Sequence, residues 1–222
     1  MPNWTFDFAG LLNLFLESSC PLCQRPTAQE FCQDCTRQLQ RSKLSNPNYL
    51  WRKELPVFAW GSYGGKLKRA IAALKYDNQP QIAKPLGCWL AQAWLNTHPQ
   101  HNLIVVPIPL HADKLKKRGY NQAELLAKSF CNFTQLPLQP QALKRIKATE
   151  AQFGLSATNR EQNLATAFAV GTELQRLRQS YSVLLLDDIY TTGATVRSAA
   201  QTLQSRRISV YGVVAIAAAQ HQ

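Results

Sequence analysis

Three short runs made almost wholly of apolar residues, "LIVV" at 103–106, "VLLL" at 183–186 and "VYGVVAIAA" at 210–218, restrict the fold of this chain more than any other feature. A strand with one wet face alternates polar and apolar residues, so a strand that is apolar on both faces must be covered on both, as in a parallel sheet. The covering material is present. Leu67, Ala70, Ile71 and Leu74 recur at helical spacing, as do Leu86, Trp89, Leu90 and Ala93. Ala123, Leu126, Ala127 and Phe130 form a third stripe, and Val196, Ala199, Ala200 and Leu203 a fourth. Helices that each bury one stripe, alternating with strands buried on both faces, predict a three-layer α/β fold around a parallel sheet. "VFAWGSY" (57–63) and "ATAFAV" (165–170) are candidates for further strands.

The chain has 222 residues, 45% of them hydrophobic, enough for one such domain and a small appendage. "QRSKLSNPNYLWRKELP" (40–56) holds two prolines and no period, so it reads as a linker or strap. The expected organisation is therefore an N-terminal module over 1–55 and the larger domain over 56–222. Near the start, "FAGLLNLFLESSC" is apolar, but no Lys or Arg precedes it, and Asp7 and Glu17 bracket it. Leu11, Leu12, Phe15 and Leu16 then predict a docked amphipathic helix in place of a leader. No stretch reaches the roughly 20 apolar residues of a membrane helix, so a cytoplasmic location without a membrane span is expected.

The run at 183 continues as "VLLLDDIYTTGAT", which predicts a buried strand over Val183–Leu186 and a helix from Ala194 to Arg206. Parallel α/β sheets bind ligands at the carboxyl ends of their strands, where the intervening loop lies. A loop of small residues entering a helix presents free N–H groups and the positive end of a dipole, which suits a phosphate. Thr191, Thr192 and Thr195 add hydroxyls, and Gly193 and Ala194 permit close backbone approach. Asp187 and Asp188 would repel a phosphate, so they must address sugar hydroxyls or a divalent cation. Together these features describe a site for a sugar phosphate. The absence of a GKT or GKS element sets aside a P-loop NTPase. The plainer alternative stays open here: two acids that end a strand, with Thr192 or Thr195 capping a helix.

Cys20, Cys23, Cys32 and Cys35 form C-x2-C-x8-C-x2-C. Two CxxC hairpin tips can aim four thiolates at one point, which predicts structural zinc in a short ribbon. Disulfides would need an oxidising compartment that the chain gives no sign of reaching, and a redox pair would not need duplication. Cys88 and Cys131 fall inside helical patterns, as small core residues. Lys and Arg outnumber Asp and Glu by 25 to 13, a net charge of +12. The surplus sits in the middle of the chain: residues 103–161 carry nine basic against four acidic residues, whereas 1–60 carry six against five. Such a surplus fits either a polyanionic partner or a solvated surface.

"VLLLDDIYTTGAT" is similar at every position to the phosphoribosyl-pyrophosphate (PRPP) motif of type I phosphoribosyltransferases. That resemblance implies the type I fold, Asp187 and Asp188 on the ribose hydroxyls, the loop from Thr191 to Thr195 around the 5-phosphate, and magnesium on pyrophosphate and ribose. A narrower resemblance covers nearly the whole chain. The cysteine pairs, "LKYDNQPQIAKPLG" (74–87), "VVPIPLHADKLKKRGYNQAELLAK" (105–128), "TEAQFGLSATNREQNLATAF" (149–168) and the PRPP motif resemble, in that order, the ComF family. It implies a role in the uptake or use of external DNA, beside other DNA-uptake proteins.

Within that frame "VVPIPLH" stands where a pyrophosphate loop belongs, although Pro107 and Pro109 lack the backbone donors such a loop uses. "KLKKRGYNQ" (114–122) resembles the mobile loop that closes over PRPP. Lys114, Lys116, Lys117 and Arg118 could serve pyrophosphate or a nucleic-acid backbone, with Tyr120 as a stacking face. Lys66, Lys68, Arg69 and Lys75 are weaker candidates of the same kind, and Arg160 matches a family position. Two functions remain open: a DNA-uptake factor that binds single-stranded DNA and keeps a PRPP pocket, which is preferred, or an active phosphoribosyltransferase with an unknown acceptor. Displacement of pyrophosphate rests on positioning and charge, so no catalytic triad is expected.

Overall fold

The computed structural model describes residues 18–51, 54–98, 102–147, 167–172 and 181–219. The amphipathic helix expected before Cys20 and most of the 149–168 block, Arg160 included, lie outside the described residues. A hairpin of β1 (Ser18–Ser19) and β2 (Pro26–Thr27) leads into α1 (Gln33–Gln40). Then come β3 (Val57–Ser62), α2 (Gly65–Tyr76), a 3-10 turn at Pro80–Ile82, α3 (Ala83–Leu95) and β4 (Leu103–Pro107). They are followed by α4 (Ala112–Arg118), α5 (Gln122–Thr134), β5 (Leu143–Arg145), β6 (Phe168–Val170), β7 (Ser182–Tyr190), α6 (Ala194–Gln204) and β8 (Val210–Ala218).

Four strands form one parallel sheet in the order β3-β8-β7-β4. Alternate side chains of each strand leave on opposite faces, and the core divides accordingly. Phe58, Trp60, Val105, Leu184, Leu186, Val214 and Ile216 meet the stripes of α2, α3 and α5. Val57, Ala59, Ile104, Val106, Val183, Leu185, Val213 and Ala215 meet α6 and the β5–β6 ribbon. Burying a leucine or valine stabilises by about 1.5–3 kcal/mol, and both faces of every central strand do so, which is why those runs carry no polar residue. Gly87 marks the tightest helix contact: a Cβ there would stand 2.6 Å from Ser129 Cβ and 2.7 Å from the Leu126 carbonyl, so only glycine lets α3 press on α5.

The structure alters two expectations. β7 runs through Tyr190, not Leu186, because Asp187, Ile189 and Tyr190 keep pairing with Ala215, Ala217 and Ala218 of β8. Strand pairing is a backbone matter, so acids can sit inside a strand where their side chains find partners. The 165–170 segment adds no strand to the main sheet; its described part, β6, pairs antiparallel with β5 as a separate ribbon. Residues 42–51 form a strap along the edge of β3, with the Leu44 N–H on the Trp60 carbonyl at 2.9 Å and the Ala59 N–H on the Pro47 carbonyl at 3.1 Å. The strap covers an otherwise unpaired sheet edge. No helix among the described residues is long and apolar enough to cross a membrane.

Candidate functional site

Asp187 and Asp188 leave β7 in opposite directions, because side chains alternate along a strand. Asp188 shares its face with Leu184 and Leu186 and is only 4% exposed. Its carboxylate is ion-paired to Lys75 Nζ at the end of α2, and Gln122 Nε2 of α5 donates to Oδ1 at 3.4 Å. Asp187, on the other face, accepts from the Asp188 N–H at 2.8 Å. Burial, reinforced by the charge of Asp188, holds the Asp187 carboxyl well above the usual carboxylate range, and Lys75 offsets this only in part. Arg145, held over the Phe168 ring at 5.5 Å, is a cation on that side; burial lowers its pKa and the charge of Asp187 opposes the fall. The acid pair therefore consists of one neutralised member and one electrostatically stressed member.

The segment expected as a mobile loop is ordered differently. Residues 112–118 form α4, closed by Gly119 in the left-handed region at φ 82. Each polar residue that follows turns inward. Tyr120 is half-buried and donates its hydroxyl to the Leu74 carbonyl at 2.6 Å, so its ring is a strut against α2 and not the open stacking face expected. Asn121 caps α5 through the Ala123 N–H at 3.1 Å and donates to the Ile108 carbonyl at 3.0 Å. Arg118 Nη1 donates to Gln122 Oε1, and Gln122 passes its own donor to Asp188. "RGYNQ" is thus the brace that fixes the β4 loop, α2 and Asp188 relative to one another.

Lys114, Lys116 and Lys117 remain exposed on α4. Beside them the aromatic surface is Tyr76, 76% exposed, with the Arg118 guanidinium 5.6 Å from its ring centroid. The β4 loop offers less to an anion than its position suggests. Pro107 and Pro109 have no N–H, and the Ile108 N–H is taken by the Leu186 carbonyl at 2.9 Å, so positions 107–109 present no free backbone donor.

The Thr191–Gly193 turn connects β7 to α6 at the carboxyl end of the sheet. Gly193 adopts φ 78, and a Cβ there would lie 2.6 Å from the Tyr190 hydroxyl and 2.8 Å from Arg197 Nη1. Arg197 Nη1 donates to the Thr192 carbonyl at 2.8 Å, while the Thr192 hydroxyl accepts from the Ala194 N–H at 3.4 Å. Arg197 thus fixes the loop shape and adds positive charge next to Thr192, Ala194 and Thr195. Sequence reasoning missed Arg197, Gln122 and Tyr76 and gave Lys75 only a surface role. Lys75, Tyr76 and Gln122 lie inside motif blocks but far along the chain from Asp188, where no local pattern reports contact, and Arg197 lies two residues past the motif's end at Thr195.

The four N-terminal cysteines converge, with their Sγ atoms all within 4.8 Å of one another. Cys20 and Cys23 sit on a knuckle in which the Gln24 N–H reaches the Cys20 carbonyl at 2.8 Å. The second pair is not a hairpin tip as expected: Cys32 occupies the N-cap position of α1 and Cys35 lies in its first turn. Cys23 and Cys32 sulfurs stand 3.5 Å apart and all six cysteines are free. Tetrahedral coordination at about 2.3 Å places sulfurs roughly 3.8 Å apart, which these positions match. Burial opposes ionisation of Cys20, yet hydrogen bonds from the Cys32 and Leu22 backbone and from neighbouring thiols bring it down to about 7. Burial and the same neighbours push Cys35 up to about 12. The cluster can hold a metal ion, whose charge would favour all four thiolates.

No family model matches the chain. Among curated proteins it is 30% identical over 217 residues to Competence protein F of Haemophilus influenzae, covering 92% of this chain and 93% of that protein. It is 27% identical over 188 residues to Competence protein ComFC of Bacillus subtilis, covering 83% of this chain and 70% of that one. Against the DNA utilization protein YhgH of Salmonella typhimurium it is 30% identical over 190 residues, covering 84% and 78%. Similar solved structures include adenine phosphoribosyltransferase from Trypanosoma brucei, at TM-score 0.43 and 10% identity over 83% of this chain and 67% of that one. The Leishmania donovani enzyme gives TM-score 0.43 and 15% identity over 79% and 74%. With both chains aligned nearly end to end at 30% identity, the sequence relationship decides the matter, and the chain belongs to the ComF family.

Proposed function

We propose that this protein handles single-stranded DNA during uptake, holding it on α4 and Tyr76, and carries a pocket for PRPP or a similar sugar phosphate at the carboxyl end of its sheet. The observation that carries the reading is the juxtaposition at Arg118. It touches the exposed Tyr76 ring on one side and, through Gln122, Asp188 on the other. An exposed ring beside three exposed lysines suits a strand whose bases stack and whose phosphates seek cations. Competence and DNA utilization proteins are the relatives that support the DNA role. In the pocket, Asp187 is the member free to accept ribose hydroxyls, with magnesium as the cation accompanying a bound pyrophosphate; the Thr191–Thr195 loop takes the 5-phosphate. A structural zinc on Cys20, Cys23, Cys32 and Cys35 completes the assignment. The lack of backbone donors at 107–109 favours ligand binding over pyrophosphate transfer.

Calorimetry with magnesium and PRPP, and with a short single-stranded oligonucleotide, tests both halves. Replacing Lys114, Lys116 and Lys117 with Ala is expected to flatten the logarithmic salt dependence of DNA binding by about two and weaken it on the order of a hundredfold at 0.1 M salt. PRPP binding should be unchanged. Equal DNA affinity in the variant would refute the surface assigned here.

Asp187→Asn has two expected effects of opposite sign. A carboxylate whose folded pKa is raised costs stability at neutral pH, a cost that shrinks as pH falls through the folded pKa and is gone only below the unfolded value of about 3.9. Removing the charge should therefore raise the Tm of the unliganded protein, by about 2–4 °C for each kcal/mol recovered. The same change should abolish stabilisation by magnesium and PRPP. Wild-type protein that gains no Tm at millimolar PRPP would end the pocket proposal.

A further inference from the structure

We propose a second ligand site, for an uncharged planar heteroaromatic ring of the nucleobase class, in the cavity beneath the strap at the amino ends of β3 and β8. The cavity has a volume of about 650 Å³ and is walled by Tyr49, Trp51, His98 and Tyr211, with Asn48 and Thr97 among its polar groups. Small-molecule sites commonly measure about 300–1,000 Å³. Trp51 precedes β3 and Tyr211 is the second residue of β8, whereas the Thr191–Gly193 turn follows β7. The strands are parallel, so the cavity lies at the opposite end of the sheet from the acid pair. Nothing in the sugar-phosphate reading uses it.

The walls are prearranged for a flat ring. Trp51 stands 5.5 Å from Tyr211 and 4.5 Å from His98, centroid to centroid. His98 is itself stacked on the buried Trp94 at 3.9 Å and 2°, and Trp94 packs edge-on against Phe58 at 5.4 Å. The wall is therefore anchored in the core, and a ring that enters pays little to order it. Burial pushes the Tyr49 and Tyr211 hydroxyls up, so both stay uncharged at neutral pH. Among the described residues no Lys, Arg, Asp or Glu lines the cavity, which suits an uncharged ring better than a phosphate.

The polar groups point to a donor on that ring. Asn46 Oδ1 accepts the Asn48 N–H at 3.0 Å and holds the turn in shape. Among the described residues, Asn48 Oδ1 is buried without a hydrogen-bond partner. Folded proteins rarely leave such an acceptor unmade, and the exocyclic amino group of adenine or cytosine would satisfy it. Thymine offers only an imide N3–H flanked by two carbonyl oxygens, which would repel the Asn48 oxygen, and should bind more weakly.

The test is titration of the full-length protein with adenosine, cytidine and thymidine, and separately with an oligonucleotide of each base. Binding is read from the indole N–H signal of Trp51 in nuclear magnetic resonance spectra. Adenosine and cytidine should move that signal; an equal response to the oligonucleotide identifies strand bases as the ligand, and a response to nucleosides alone identifies a free one. Asn48→Ala should weaken adenosine binding about tenfold without lowering Tm, because the lost acceptor had no partner. Tyr49→Ala, at a residue 39% exposed, should weaken all three nucleosides together. A Trp51 signal unmoved by every nucleoside and oligonucleotide overturns the site, and thymidine binding as well as adenosine with no effect of Asn48→Ala overturns the role given to Asn48.

Discussion

If the four-cysteine module holds the structural zinc proposed for it, withdrawing that zinc will lower the melting temperature of the whole protein, not only unravel its N-terminal segment. The described part of the module cannot stand alone: two strands of two residues each and one eight-residue helix bury too little to fold without a staple. It is also not a separate body. Cys20, Leu22, Phe31, Cys35 and Leu39 belong to the same buried cluster as Trp60, Leu67 and Leu86 on the α2–α3 face of the sheet. Phe31 meets Trp89 at 6.1 Å, Trp89 stacks on Trp60 at 5.4 Å, and Lys84 pairs with Glu30 at 2.7 Å. Structural zinc in finger peptides contributes about 10–16 kcal/mol at neutral pH, comparable with the roughly 5–15 kcal/mol that holds an entire domain. Elemental analysis should find one zinc per chain. A chelator, or Cys20→Ser, should then give a single transition at much lower temperature, whereas Cys88→Ser, outside the cluster, should stay near the wild type. Chelator-treated protein with an unchanged Tm would remove the metal from the account.

Much of this molecule is legible in its sequence because its strongest signals are local. The four stripes depend only on helical spacing, and they mark α2, α3, α5 and α6. Runs without polar residues identify β4, β7 and β8 because both faces of each are covered. The CxxC pairs and the small-residue loop after β7 are likewise short-range patterns. What escaped depends on distance along the chain. Nothing near Asp188 announces Lys75 or Gln122, and nothing near Tyr120 says that its hydroxyl reaches Leu74 while Tyr76 stays exposed. A cationic stretch such as "KLKKRGYNQ" reads as one surface, yet its lysines point to water and its last residues turn inward. The second cysteine pair looks like a hairpin tip by spacing, but a helix start presents two residues three apart on one side equally well.

The ion pair at the end of α2 carries the other large effect. Lys75→Met keeps most of the side chain's bulk and removes its charge, leaving the Asp188 carboxylate, 4% exposed, without a cation. Breaking one side of a buried pair costs about 3–5 kcal/mol, so at neutral pH the Tm should fall by roughly 10 °C. A double-mutant cycle separates this cause from simple loss of packing. Lys75→Met combined with Asp188→Leu should recover most of the loss, because an apolar pair of similar volume replaces a buried ionic one at little cost. Two losses that simply add would show that Lys75 acts through packing. If the charge is what matters, Lys75 is the counter-ion that lets β7 carry an acid into the core.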